Sequence, residues 1–206
     1  MIITYYGASC FKVQSGETVL AFDPPSKDSK IKTPRFSANV TLISHNHTDH
    51  NGYDVLAGDP LIIEGPGEYE VSGVFVTGVK TYHDSEKGAK YGLNTTYSVK
   101  FENMNICHLG DFGEKELRPE VEEIINEADI LFVPIGGESV MSIQDAEKII
   151  ARISPKIVIP MHYENETILK AFLKEFNDDG TKKMDKLTLK KKDLPESMEV
   201  VVITQT

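Results

Sequence analysis

Cysteine is scarce in this chain: two in 206 residues, Cys10 and Cys107. Two thiols make no disulfide framework, so the fold must rest on its core. Both read as small core filler in a reduced, cytoplasmic protein. Long apolar runs are missing as well. No stretch comes near the roughly eighteen residues that a membrane helix needs. The N-terminal "MIITYYGASCFKV" lacks a basic segment followed by a continuous apolar one, so no signal peptide is expected. Positive charge is in deficit: 22 Lys and Arg stand against 32 Asp and Glu, a net −10. A general nucleic-acid binder usually carries the opposite sign, because it must neutralise phosphates. Nucleic acid and membrane are therefore not expected partners. Two local basic runs, residues 26–35 and 181–193, read as solvated surface; the sharper alternative is a loop that helps hold an anionic substrate. The chain also contains no G-x-S-x-G elbow and no phosphate-cradling P-loop.

What is present is a length and a 40% hydrophobic content that suit one well-buried core, or two small ones. The first third reads as short strands with turn punctuation: residues 2–6, 10–14, 18–22 and 40–44, with a long polar loop, "DPPSKDSKIKTPR", before the fourth. Further strands are expected at 61–64, 68–71, 74–82, 96–101 and 106–109. The second half alternates helix and strand. Helices are expected at 114–128, where Pro119 marks a possible start, at 142–153 behind a capping Ser142, and at 164–176. "DILFVPIG" and "KIVIPMH" read as buried strands, and 187–190 and 199–204 as terminal ones. Two sheets packed face to face with helices outside follow from this order. No Pro/Gly/Ser-rich linker divides the halves, so residues 1–206 are read as one domain.

Histidine is rare too, six in all, yet three fall within "HNHTDH", residues 45–50. Residues at i and i+2 of an extended or turning segment can point two imidazoles into one site. Asp49 and His50 follow directly and can face a neighbouring one. The strand "NVTLIS" precedes the cluster, and Thr48, Asp49 and Asn51 are helix-start residues before "GYDVLAG". The cluster is thus expected between a strand end and a helix start. Four ligands do not complete two metal sites, since each zinc-like ion takes four to five donors. Three more apolar strands finish in or near a metal-competent residue: His83, Asp111 and His162. Ligands at the carboxyl ends of strands can converge on one rim. His108, by strand alternation, should point away from Asp111 and read as a structural, hydrogen-bonded histidine. Asn94, Thr95 and Tyr163 are candidates to line the site. Glu64 and Glu68 are expected to serve the "EGPGEYE" loop itself.

The arrangement resembles the metallo-β-lactamase superfamily, on "HNHTDH", His83, "LGD" with Asp111 and "PMH" with His162. "GPGEYE", "YHD", "HLGD" and "IPMHY" look more like its small hydrolase-like branch, which includes relatives of ascorbate-6-phosphate lactonase. The resemblance implies an α+β fold, a four-layer αβ/βα sandwich of two mixed β-sheets flanked by helices. It implies His45, His47 and His83 on one metal ion, Asp49, His50 and His162 on a second, and Asp111 bridging both. Asp23, in "LAFDP", is similar to the superfamily's structural aspartate that orders the metal-bearing loops. The implied chemistry is hydrolysis of an ester, lactone, amide or phosphodiester bond by a metal-bridging hydroxide, with Asp49 orienting it and taking its proton. The ions expected are two divalent metals, with Zn2+ preferred over Mn2+ or Fe. The substrate is expected to be a small anionic molecule, such as a phosphorylated sugar lactone. The rival readings are a nuclease or phosphodiesterase, and a non-catalytic metal-binding regulatory protein. The superfamily's diiron oxidoreductases usually carry an acidic residue where this chain has His47, which argues for hydrolysis.

Overall fold

The computed structural model describes residues 1–176, 181 and 183–206. Lys182, within the second basic run, lies outside the described residues. Five strands come first: β1 (Ile2–Gly7), β2 (Cys10–Ser15), β3 (Thr18–Phe22), β4 (Val40–Ile43) and β5 (Leu61–Glu64). Four more follow, β6 (Gly67–Val71), β7 (Val74–Tyr82), β8 (Leu93–Phe101) and β9 (Met104–His108). Helices and strands then alternate through α1 (Pro119–Ile125), β10 (Ile130–Pro134), α2 (Ile143–Ile153), β11 (Ile157–Met161) and α3 (Glu166–Glu175). Short strands β12 (Lys183–Met184), β13 (Leu187–Thr188), β14 (Glu199–Val200) and β15 (Val202–Ile203) end the chain.

These strands build two large mixed sheets, and β12 pairs with β15 in a small parallel one. One large sheet runs β13-β1-β2-β3-β4-β5 and the other β14-β11-β10-β9-β8-β7-β6. Both change from antiparallel hairpins to parallel strands part-way across, at β3–β4 and at β9–β10. Period-two side chains explain the stacking. Ile3, Tyr5, Phe11, Val13, Leu20 and Phe22 from the first sheet meet Tyr97, Val99, Ile106, Phe132 and Ile159 from the second. The alternate residues of the second sheet, among them Cys107, Leu131, Val133 and Val158, pack under Val121, Ile149, Ile150, Leu169 and Phe172 of the helices. Burial on both faces is why β10 and β11 read as continuous apolar runs.

The six-stranded sheet has no helix on its outer face among the described residues. Val19 and Ala21 are covered there by Phe36, Ala38, Val55 and Leu56, which belong to loops. The helix start expected after Asn51 is accordingly a correction: residues 52–58 form turns and a bridge between Ala57 and Ser37. A Cβ at Gly52 would stand 2.7 Å from the carbonyls of Pro24 and Pro25, and Gly58 has φ +97°. Close backbone packing and a left-handed residue suit a folded-back loop rather than a helix.

The helix expected at 114–128 is shorter, because Pro119 opens it and the preceding residues have other partners. Glu114 accepts a hydrogen bond from the Tyr82 amide at 3.0 Å and holds Arg118 at 2.9 Å. Ser142 caps α2 by accepting from the Asp145 amide. The described lysines of the second basic run are exposed, as solvated surface, with Lys183 paired to Glu166 and Lys191 to the largely buried Asp129 at 2.7 Å.

Candidate metal centre

The chain delivers its metal-competent residues at the carboxyl ends of strands from both sheets. Ser44 and His45 follow β4, His83 follows β7, the Asp111 loop follows β9, and His162 follows β11. All converge on the Asp111 carboxylate. Its Oδ2 lies 3.0 Å from His162 Nε2, 3.2 Å from His83 Nε2, 3.4 Å from His50 Nε2 and 3.8 Å from His45 Nε2. The donor atoms of His45, His47 and His83 fall within 4.8 Å of one another, as do those of Asp49, His50 and His162, and those of His45, His50 and Asp111.

Most of this cluster is sealed. His45, His50, His83 and Asp111 are buried. Solvent reaches it through His47, the Asp49 side chain at 40% exposure and the His162 side chain at 19%. The Nε2 atoms of His45, His50 and His83 are buried without a hydrogen-bond partner. Buried polar atoms seldom stay unpaired. Three convergent imidazole lone pairs beside two carboxylates are the donor set of a divalent-cation site, so these residues fit the metal the sequence implied.

Electrostatics fit the same geometry. Burial drives His45 down to about 3 and lowers His47, so both are neutral imidazoles at neutral pH. Burial also opposes charge on His50 and His162, but Asp111 overcomes it and both are raised, so a bound cation would take the place of the second proton on each. Asp49 is drawn down to about 2, chiefly by its contact with His50.

Asp23 ends β3 in a left-handed conformation, φ +42°. Its Oδ1 accepts from the Ser44 amide at 2.7 Å, and its Oδ2 accepts from the Ser44 hydroxyl at 2.6 Å. The same Oδ2 lies 3.3 Å from His50 Nδ1, and Ser44 Oγ lies 2.8 Å from His45 Nδ1. On the other side, Ser9 donates to Asp111 Oδ1 at 3.1 Å. Asn94 accepts from the Asp111 amide at 3.0 Å and donates to Leu109 O and Thr81 Oγ1. Asn94 therefore shapes the Asp111 loop, and with Thr95 it also lines an adjoining cavity. Ser9, Ser44 and Thr81 were missed in the sequence. Only Ser44, next to a clustered histidine, carried any signal.

His108 stays outside the cluster for a reason other than strand alternation. Its ring lies between the sheets, stacked on Phe22 at 5.0 Å. Nδ1 accepts from the Gly110 amide, so Nε2 bears the proton and donates to Ser9 O at 2.9 Å. β9 ends at His108, and Gly110, at φ +59°, turns the chain before Asp111. A Cβ at Gly110 would stand 2.3 Å from Asn94 Oδ1. Gly110→Ala should therefore destabilise the metal-free protein by on the order of 1–3 kcal/mol through backbone strain alone, read by urea denaturation.

Tyr163 packs into the core under the helices and lines neither cavity beside the centre. Glu64 and Glu68 do not hold the "EGPGEYE" loop. Glu64 engages Tyr53, and Glu68 lies in a groove on the outer face of the second sheet. The loop is held by buried Tyr97, whose hydroxyl accepts from the Gly65 amide at 3.0 Å and donates to Ile43 O at 2.8 Å. Tyr97→Phe should cost about 1–3 kcal/mol, because it strands both groups; thermal denaturation checks it. Residues 26–35 line neither cavity beside the centre, and Lys27 pairs with Asp54 at the surface.

A family model described as the beta-lactamase superfamily domain matches residues 2–162. The chain belongs to the β-lactamase superfamily. Among this superfamily member's relatives is a "UPF0173 metal-dependent hydrolase" of Natranaerobius thermophilus, 30% identical, with 87% of this chain and 90% of the relative covered. Another of that name, from Pyrococcus horikoshii, is 33% identical over 84% of this chain and 89% of its own. A crystal structure from Thermotoga maritima is described as a candidate Zn-dependent hydrolase of the metallo-β-lactamase superfamily. It superimposes with a TM-score of 0.81 at 31% identity, covering 98% of this chain and 97% of its own.

Proposed function

We propose that this chain is a metal-dependent hydrolase with a dinuclear centre. The observation that carries the reading is the Asp111 carboxylate, with four imidazole Nε2 atoms within 3.8 Å of one oxygen and three of them otherwise unpartnered. In this reading His45, His47 and His83 hold one ion, Asp49, His50 and His162 the other, and Asp111 is shared. The nitrogen-rich donor set suits Zn2+. When bound, such ions supply Lewis-acid polarisation of the scissile group and water that is nucleophilic near neutral pH.

The protein's own part is positional. Burial keeps His45 neutral and ready to donate its lone pair. Asp49, half open to solvent, is the carboxylate placed to orient the attacking water and to accept its proton. His47 and His162 border the opening through which an ester, lactone, amide or phosphodiester of a small, anionic substrate would enter. The core between the sheets draws on residues from Ile3 to Ile203, which supports reading 1–206 as one domain. No helix among the described residues is long and apolar enough to cross a membrane.

The test is metal analysis combined with turnover on chromogenic esters, lactones, amides and bis-phosphodiesters. Expected are two ions per chain, activity abolished by a chelator, and its return with Zn2+. Two tightly held ions with no turnover on any panel member would overturn the enzyme and leave a binding protein. Turnover confined to phosphodiesters, with salt-sensitive nucleic-acid binding, would instead support the nuclease.

A further inference from the structure

The centre opens sideways into a cavity of about 600 Å³ that touches His45 and His47. That volume is in the range of small-molecule sites, roughly 300–1,000 Å³. Its walls are unlike those of a sugar-phosphate site. Tyr53, Pro66, Tyr91 and Leu93 face it. Tyr53 is 38% exposed and Leu93 57%, two of only six large hydrophobic side chains so exposed among the described residues. One exposed leucine is ordinary, but two such residues lining one cavity beside the centre, together with a second tyrosine, form a surface that a ligand would cover.

The charged groups beside the histidines point the same way. Glu64 adds a carboxylate that repels a phosphate dianion. Lys80 is the one lysine or arginine among the lining residues. Neither an arginine fork nor a helix N-terminus is there to take up phosphate oxygens.

Tyr91 is a fixed wall. The Asp84 carboxylate accepts hydrogen bonds from the amides of Glu86, Gly88, Lys90 and Tyr91, all at 2.8–2.9 Å, and so sets the whole turn that carries the ring. The Tyr91 ring lies 5.2 Å from the His83 ring and under the Lys90 ammonium at 4.5 Å. Beyond it lies a second cavity of about 280 Å³, of mixed lining, with Asp84, Ser85, Lys115 and Ser139 beside Val140 and Met141.

Resting on the hydrolase reading above, we infer that the group next to the scissile bond is an apolar ring, an aryl or cycloalkyl acyl unit, seated between Tyr53, Tyr91 and Leu93. Any negative charge the substrate carries is single and meets Lys80. The smaller cavity takes the departing side.

Calorimetric titration of the Zn2+-loaded protein with 2-naphthoate and with glucose 6-phosphate tests the pocket without turnover. 2-Naphthoate should bind more tightly than glucose 6-phosphate, and Leu93→Asp, with unchanged circular dichroism, should weaken it by about tenfold or more. The naphthoyl ester of a given alcohol should exceed the acetyl ester in kcat/KM, and Leu93→Asp should collapse that ratio. Tighter glucose 6-phosphate binding, or naphthoate affinity unmoved by both Leu93→Asp and Tyr91→Ala, would overturn the inference. Naphthoate binding that Leu93→Asp weakens, with no ester turned over, would sink the hydrolase reading and support the pocket's ligand class. Turnover that favours a phosphorylated sugar lactone would do the reverse.

Discussion

Asp111→Ala should remove essentially all turnover and at least one metal ion per chain. Loss of a single preorganised electrostatic group commonly costs 10²–10³ in rate, and a shared ligand does more than one group's work, so a fall of about 10³-fold or more is expected. The geometry makes the carboxylate hard to replace. Four histidines on three separate segments have it as their common neighbour, and its other oxygen is held by Ser9. Without it, His50 and His162 also lose the charge that raises them against the effect of burial. Asp111→Asn is the companion variant. It keeps the shape and an oxygen for Ser9, and should lose activity nearly as fully, which separates charge from packing. Metal content by mass spectrometry and turnover on the best panel substrate decide it. Wild-type activity with full metal content in Asp111→Ala would refute the shared role.

The two sheets and the rim they share were legible because their strands obey simple patterns. β10 and β11 are uninterrupted apolar runs, and β1 and β2 alternate. The five histidines and two aspartates of the proposed centre were legible as well, since each follows a strand or sits in one short cluster. What was not legible depends on the far side of the fold. "GYDVLAG" has helix-start residues before it, yet it folds back because Gly52 must lie against Pro24 and Pro25, from an earlier loop of the chain. The outer face of β3 carries only Val19 and Ala21 toward that loop, too small an apolar patch to demand a helix. His108 was set away from Asp111 by strand alternation, which no longer relates the two once β9 ends at His108 and Gly110 turns left-handed. Tyr91 carried no signal at all. It matters only because Asp84 gathers its amide and three more from the preceding turn, whose sequence, "SEKGAK", reads as ordinary surface.

Asp23→Asn should weaken metal binding by about 10–100-fold at both ions, the usual scale for a group that orients ligands without touching the metal. The argument is one of proton positions. His50 Nδ1 faces a carboxylate oxygen that can only accept, so Nδ1 carries the hydrogen and Nε2 is left with its lone pair. Ser44 has one hydroxyl hydrogen and gives it to Asp23 at 2.6 Å, so it must accept from His45 Nδ1 at 2.8 Å, and His45 Nε2 is likewise left free. One carboxylate thus fixes the tautomer of a histidine in each proposed trio. An asparagine in its place is nearly isosteric and tolerates the left-handed backbone at this position, so the fold should survive. With its oxygen kept for the Ser44 amide, however, its NH2 group stands where Oδ2 was and opposes both the Nδ1–H of His50 and the hydroxyl hydrogen of Ser44, which favours the tautomer with the proton on Nε2 in both histidines. Competition with a chromophoric zinc chelator measures the affinity of each ion. Turnover at saturating Zn2+ should return most of the way to that of the parent, because Asp23 acts through its histidines and not on substrate. A loss confined to one ion would show that Ser44 orients His45 without Asp23, and unchanged affinity at both would remove Asp23 from the centre altogether.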